Sequence, residues 1–114
     1  MVTMRQFMTT TVEQRKDFTS GFATHPMESA WATEAIFFLT VEEVTGESPV
    51  LKAKVQISAD GVNWLDEGNV FGAIHEKGHY FIRVSHFGGW LRLWGDVEGP
   101  DSCFNLTIHL ALKE

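Results

Sequence analysis

Cys103-Phe104-Asn105-Leu106-Thr107-Ile108-His109-Leu110-Ala111-Leu112 is the stretch that decides how the rest of the chain is read. Phe104, Leu106, Ile108, Leu110 and Leu112 fall on one parity, and Asn105, Thr107, His109 and Ala111 fall on the other. That is the period of a β-strand, whose successive side chains leave on opposite faces, so one face can be dry and the other wet. The pattern predicts a closing core strand over Cys103 to Leu112.

Moving outward from it, the same alternation recurs. Over Leu51 to Ser58 the apolar set is Leu51, Ala53, Val55 and Ile57, against Lys52, Lys54, Gln56 and Ser58. Tyr80 to His86 alternates Tyr80, Ile82 and Val84 with Phe81, Arg83 and Ser85, and Trp90 to Val97 sets Leu91, Leu93 and Val97 opposite Trp90, Arg92, Trp94 and Asp96. These last two segments are expected to pair with each other through His86-Phe87-Gly88-Gly89. Trp31 to Val44 is apolar on both faces over Ile36 to Val41, which fits a central strand covered on each side or one lying at a subunit contact.

Turn residues fall where the strands should end: Thr45-Gly46-Glu47-Ser48-Pro49, Asp60-Gly61, Glu67-Gly68-Asn69, Glu76-Lys77-Gly78 and Glu98-Gly99-Pro100-Asp101. Strands at that spacing predict an all-β, antiparallel two-sheet sandwich, jelly-roll-like, with about eight strands in one domain over residues 1–114. No stretch has convincing helical periodicity, Val12 to Phe18 being the nearest. Residues 1–30 are less strand-like and are expected to form an N-terminal arm or an edge strand.

Length and composition agree. A chain of 114 residues is near the common size of one domain, where roughly two thirds of the unfolded surface is buried on folding. Hydrophobic residues at 44% and charged residues at 21% are ordinary for a globular protein and too apolar for a disordered one. With Lys plus Arg at 9, Asp plus Glu at 15 and a formal charge of -6, there is no basic run to neutralise phosphates. Nucleic acid and anionic membranes are therefore not expected as partners.

Cys103, the only cysteine, cannot close a disulfide within the chain, so a stapled secreted fold is not expected and a reducing compartment fits. Arg5, Gln6 and several threonines interrupt any apolar stretch within Met1 to Thr11, and no export signal is expected. The longest apolar stretch, Ala35 to Leu39, is far short of the ~20 residues of a membrane span.

Chemistry-bearing patterns are sparse. Ser58-Ala59-Asp60-Gly61-Val62-Asn63-Trp64 reads as a folding device: Asp-Gly tolerates a positive φ, Ser58 or Asp60 can bond turn amides, and Trp64 is expected to fold back over the hairpin. Similar hairpins occur in discoidin-like sandwiches. His75 and His79 have the spacing of helical metal ligands, but Glu76-Lys77-Gly78 argues for a hairpin, and no metal or other cofactor is expected. No nucleophile elbow, phosphate-binding loop or Cys-His pair occurs, so no enzyme activity is expected. Glu42-Glu43 and Asp66-Glu67 are adjacent in strands or turns, where their side chains diverge.

The candidate binding or interface face is formed by Trp90, Arg92 and Trp94, extended by Arg83, Asn105 and His109 where the strands neighbour one another. Aromatic rings beside a planar guanidinium can anchor a protein interface or stack on sugars, because both bury large area at small entropic cost.

From Trp31 to Lys113 the order of elements resembles a group of small phage and prophage-type proteins found among virion structural genes. The residues that carry the likeness are Val44-Thr45-Gly46-Glu47-Ser48-Pro49, the Ser-x-Asp-Gly-x-x-Trp hairpin ending at Trp64, and Gly88-Gly89-Trp90-Leu91-Arg92-Leu93. Val97-Glu98-Gly99 and Phe104 to Lys113 complete it. The resemblance implies a non-catalytic β-sandwich that assembles with copies of itself or docks on a capsid, tail or other shell. It carries over no functional residues. The expected location is the cytoplasm or an assembled particle, and the alternative function is a carbohydrate-binding module that uses the aromatic face.

Overall fold

The computed structural model describes residues 6–114. Among them lie nine strands and no helix: β1 (Phe7–Phe18), β2 (Phe22–Ala23), β3 (Met27–Glu28), β4 (Glu34–Thr45), β5 (Val50–Ser58), β6 (Leu65–Val70), β7 (Gly78–Ser85), β8 (Trp90–Glu98) and β9 (Cys103–Lys113). One sheet runs β1-β9-β4-β7 and the other β2-β8-β5-β6, with β3 also on β8, and every pairing is antiparallel. The two-sheet sandwich expected from the alternation is the fold that forms. It carries nine strands rather than about eight because β2 and β3 are two short pieces laid along one edge of β8.

Alternation explains the layers directly. Phe37, Leu39, Leu106, Ile108 and Leu110 point inward from the first sheet and Leu51, Val55, Leu91 and Leu93 from the second, all fully buried. Their interdigitation is the core. The centre of the first sheet is held by an unbroken register in which β4 pairs with β9 from Glu34↔Lys113 to Val41↔Leu106.

One pairing differs from expectation. β7 pairs with β4 in the first sheet and β8 pairs with β5 in the second, so the segments joined by His86-Phe87-Gly88-Gly89 do not form a hairpin. The linker instead carries the chain across the sandwich. Each strand thereby sets its inward apolar row against the opposite layer, an outcome the alternation permits equally. Glu67-Gly68-Asn69, read as a turn, is a bulge inside β6, where Gly68 takes φ 117 and the register slips between Lys54 and Gln56.

At the N-terminal end, β1 is an edge strand on β9 with register shifts at Thr11/Glu13 and Glu13/Lys16. The residues expected to form an arm or edge strand, 1–30, thus include β1, β2 and β3, while residues 1–5 lie outside the described residues. Phe18 is buried, and its ring centroid lies 4.0 Å from that of Phe22, where the chain leaves one sheet for the other.

Two other crossovers meet at one end of the sandwich. The β4–β5 connection and the β8–β9 connection touch, with Glu47 N–H donating to Pro100 C=O (3.2 Å). Gly46 takes φ 116 there, and a Cβ at that position would sit 2.5 Å from Ser102 Cα, so no larger residue fits without displacing backbone.

The dry and wet faces of a strand should respond very differently to truncation. Ile108→Ala, which opens a cavity between the sheets, is expected to cost roughly 2–5 kcal/mol. Lys52→Ala, on an exposed side chain, should stay within about 0.5 kcal/mol. Urea unfolding followed by circular dichroism measures both.

Candidate functional site

The sandwich presents two outer faces, and the residues that sequence singled out are divided between them. Trp90, Arg92 and Trp94 lie on the outer side of β8 in the second sheet, whereas Arg83 (β7), Asn105 and His109 (β9) belong to the first sheet. The six positions therefore do not form one surface. The extension to Arg83, Asn105 and His109 required β7 or β9 to neighbour β8, and the crossovers place them on the other layer.

On the second sheet a connected row of side chains spans three strands. The Arg92 guanidinium lies 4.2 Å over the Trp64 ring, and its Nε donates to Gln56 Oε1 (2.8 Å). Gln56 Nε2 donates to Asp66 Oδ1 (3.0 Å), and Lys54 Nζ donates to Asp66 Oδ2 (2.9 Å). Lys54 in turn sits 5.0 Å from the Trp94 ring centroid. Burial pulls the Arg92 guanidinium below its ordinary value, and the Gln56 and Lys54 hydrogen bonds hold the Asp66 carboxyl below the usual carboxylate range.

Cations thus lie against the Trp64 and Trp94 rings, where a sugar would otherwise stack. Beside Trp94 there remains a cleft of about 380 Å³, lined by Lys52, Ala53, Lys54, Val70, Phe71 and Ala73 as well.

The Ser58–Trp64 turn at the end of this row is a hydrogen-bonded knot. Ser58 Oγ accepts from the Asp60 and Gly61 amides (3.2 and 2.8 Å) and donates to Asp60 Oδ1 (2.9 Å). Asp60 Oδ1 also accepts from the Val62 and Asn63 amides (both 2.8 Å), and Asn63 Nδ2 donates to Asp60 Oδ2 (2.9 Å). Gly61 takes φ 79, and a Cβ there would lie 3.1 Å from the Trp90 indole. Trp90 rather than Trp64 packs on the turn, and Trp64 reaches over the sheet to Arg92.

The first sheet's outer face has a different character. Phe38 (40% exposed) and Phe81 (55%) are cross-strand partners with ring centroids 6.4 Å apart, and Arg83 lies 5.2 Å over Phe81. Ile36, half-buried, lies two residues from Phe38 on the same side of β4, and His109 pairs with Phe38 across β9. This is the outward half of the doubly apolar run in Ile36–Val41, and nothing among the described residues covers it.

Asn105 serves another purpose. It donates through Nδ2 to Asp17 Oδ1 (2.8 Å) and Arg15 C=O (3.2 Å), while Thr107 Oγ1 accepts from the Arg15 amide (3.1 Å) and donates to Glu42 Oε2 (2.8 Å). Both residues fasten the bulged edge strand β1. Sequence gave no hint of this, since bulge contacts leave no periodic trace.

Among the described residues no group of three His, Cys, Asp or Glu side chains is placed to hold a metal ion. His75 and His79 part company: His75 Nδ1 lies 3.2 Å from Pro49 C=O and His79 Nδ1 lies 3.0 Å from Thr40 Oγ1. Cys103 is half-buried, and burial and the nearby Asp17 push its thiol pKa up, away from nucleophilic use.

Fold and faces together define an antiparallel β-sandwich with two unlike outer surfaces, one a polar and aromatic network beside an open cleft and the other an aromatic patch. In fold it is similar to the crystal structure of the SPBc2 prophage-derived protein YomS, with a TM-score of 0.58 at 10% sequence identity over 100% of this chain and 98% of that one. At that identity the likeness is one of fold. No protein-family model and no curated protein sequence matches the chain.

The turn knot makes a pH-dependent contribution whose sign is fixed. Hydrogen bonds from Asn63 and Val62 depress the Asp60 carboxyl well below its ordinary range, so the stabilisation is complete above the unfolded value of about 3.9 and fades as pH falls below it. The urea midpoint of wild type should exceed that of Asp60→Ala by a constant margin above about pH 5, and the margin should narrow below about pH 4. A gap that does not change with pH would refute this account.

Proposed function

We propose that the chain is a non-catalytic structural module that associates with copies of itself or docks on a phage-like capsid, tail or other protein shell. The observation that carries this reading is the open aromatic patch of Phe38, Phe81 and Ile36 on the β9-β4-β7 face. Large exposed apolar side chains grouped on a regular sheet face mark contact sites, and aromatic residues beside an arginine are enriched at the anchors of such contacts. A stable contact commonly buries ~800 Å² on each partner, a large share of a domain this small. The fold likeness to a prophage-derived protein supports the same reading.

Light scattering after gel filtration tests it. Wild type is expected to run above the monomer mass at micromolar concentration. The double variant Phe38→Thr/Phe81→Thr, which keeps strand-compatible residues, should fall to the monomer with an unchanged β-sheet circular dichroism spectrum. A wild-type chain that stays monomeric to ~100 μM, with Phe38 and Phe81 replaceable without effect, would overturn the reading.

A carbohydrate-binding module is the second reading, favoured by the cleft beside Trp94. Against it stands the occupation of the Trp64 and Trp94 rings by Arg92 and Lys54. Glycan-array screening separates the two: no binding is expected of the wild-type chain, and a signal abolished by Trp94→Ala would establish the sugar platform instead.

A further inference from the structure

The margins of the two sheets are not alike. β1 is bulged twice, and Arg15 within it is forced to φ 46. β6 is six residues long and broken by the Gly68 bulge, with Glu67 Oε1 accepting from the Asn69 amide (3.0 Å). The margin opposite β6 consists of two strands of two residues each, β2 and β3, separated by Thr24, His25 and Pro26. Short, bulged and proline-interrupted edges are how proteins keep sheets from recruiting further strands. Of these margins β7 alone is unprotected: its eight residues pair with β4 from Val41↔Gly78 to Glu34↔Ser85 without a register shift.

The direction of its free backbone groups follows from two hydrogen bonds at the far end of the sheet. Lys113 C=O accepts from Thr33 N–H (2.8 Å), so Lys113 faces β4, while Glu114 N–H donates to Gln6 C=O (3.0 Å), so Glu114 faces β1. Strict alternation through the regular registers of β9, β4 and β7 then turns Gly78, Tyr80, Ile82 and Val84 toward β4. His79, Phe81, Arg83 and Ser85 direct their backbone groups out of the sheet. None of the turn and loop backbone hydrogen bonds of the described residues reaches β7.

We propose that β7 pairs antiparallel with β7 of a second copy of this chain across a two-fold axis at Phe81, joining the two four-stranded sheets into one of eight. The proposal rests on the assembly reading above and gives it a geometry. A second copy is the occupant the strand itself specifies, because an isologous pairing about Phe81 keeps like faces together. On the outer face Phe81 meets Phe81 of the second copy, extending the Phe38–Phe81 pair into a row of four rings. On the inner face the half-buried Tyr80 meets Ile82 of the second copy, closing the margin of both cores. The bulges of β1 at the far edge stop further addition, so the assembly closes at two. Seven residues of each strand pair, Gly78 to Val84, and the seam they form is only ~24 Å long, so dissociation at low micromolar concentration is expected.

The test uses the full chain and two variants at one position. Proline at an edge residue whose N–H points outward leaves the internal ladder intact while blocking an added strand. Arg83→Pro is expected to raise the dimer dissociation constant at least about tenfold in sedimentation equilibrium. Arg83→Ala, which keeps the amide, should leave it within about threefold.

Amide hydrogen exchange on wild type supplies a readout independent of any variant's folding. At concentrations where the chain is dimeric, His79, Phe81 and Arg83 should be as protected as Tyr80, Ile82 and Val84, and they should exchange freely on dilution to monomer. Dimerisation unaffected by Arg83→Pro, or free exchange of those three amides in the dimer, overturns the edge pairing and leaves the assembly reading standing. A chain that is monomeric throughout overturns the edge pairing and self-association together, and leaves only docking on another protein shell.

Discussion

One dry layer governs everything else: the meeting of the inward rows of β4 and β9 with those of β5 and β8. Phe37, Leu39, Leu106, Ile108 and Leu110 on one side and Leu51, Val55, Leu91 and Leu93 on the other exclude water completely. Apolar burial at about 25 cal/mol per Å² makes this layer the main source of cohesion. Because side-chain direction repeats every two residues, a slip of one residue in any of these strands would put its apolar row in water. The same constraint dictates the outer faces, since each inward Leu or Ile fixes which neighbour must look outward. The Arg92–Gln56–Asp66–Lys54 row and the Phe38–Phe81 pair are thus by-products of core register before they are surfaces.

The strands that supply this layer were legible. β5, β7, β8 and β9 appear in the sequence as period-two runs and β4 as a run apolar on both faces, and their ends lie within three residues of those the sequence marks. What alternation does not encode is the sheet to which a strand belongs. His86-Phe87-Gly88-Gly89 has the composition of a hairpin turn, yet a link between layers needs the same small and polar residues. The register of the inward row is identical in both cases. Hence the candidate face split in two: Trp90, Arg92 and Trp94 were correctly grouped by strand, and Arg83, Asn105 and His109 were joined to them only through an assumed neighbour.

β1 was illegible for a different reason. Glu13-Gln14-Arg15-Lys16-Asp17 has no apolar parity because two bulges reset the phase within it and the strand contributes to the core chiefly through Val12 and Phe18. A strand with one partner and a broken phase is recorded in its neighbour instead, in the side chains of Asn105 and Thr107 that hold the bulges. Gly68 misled in the opposite sense: a glycine flanked by polar residues is turn chemistry, and a bulge asks for the same left-handed freedom.

The two outer faces differ in how completely their polar and aromatic groups are matched within the chain. On the second sheet each charged member of the row has a partner at hydrogen-bond or stacking distance, so the network gains little from a ligand that would have to displace those partners. On the first sheet Phe38 has Phe81 and Phe81 has Phe38 and the Arg83 guanidinium, yet both rings stay largely open to solvent, and the apolar area they expose is a standing cost that burial would relieve. The unsatisfied layer is also the one with the unbulged margin, so exposed apolar area and unpaired backbone converge on β7 from independent features of the fold.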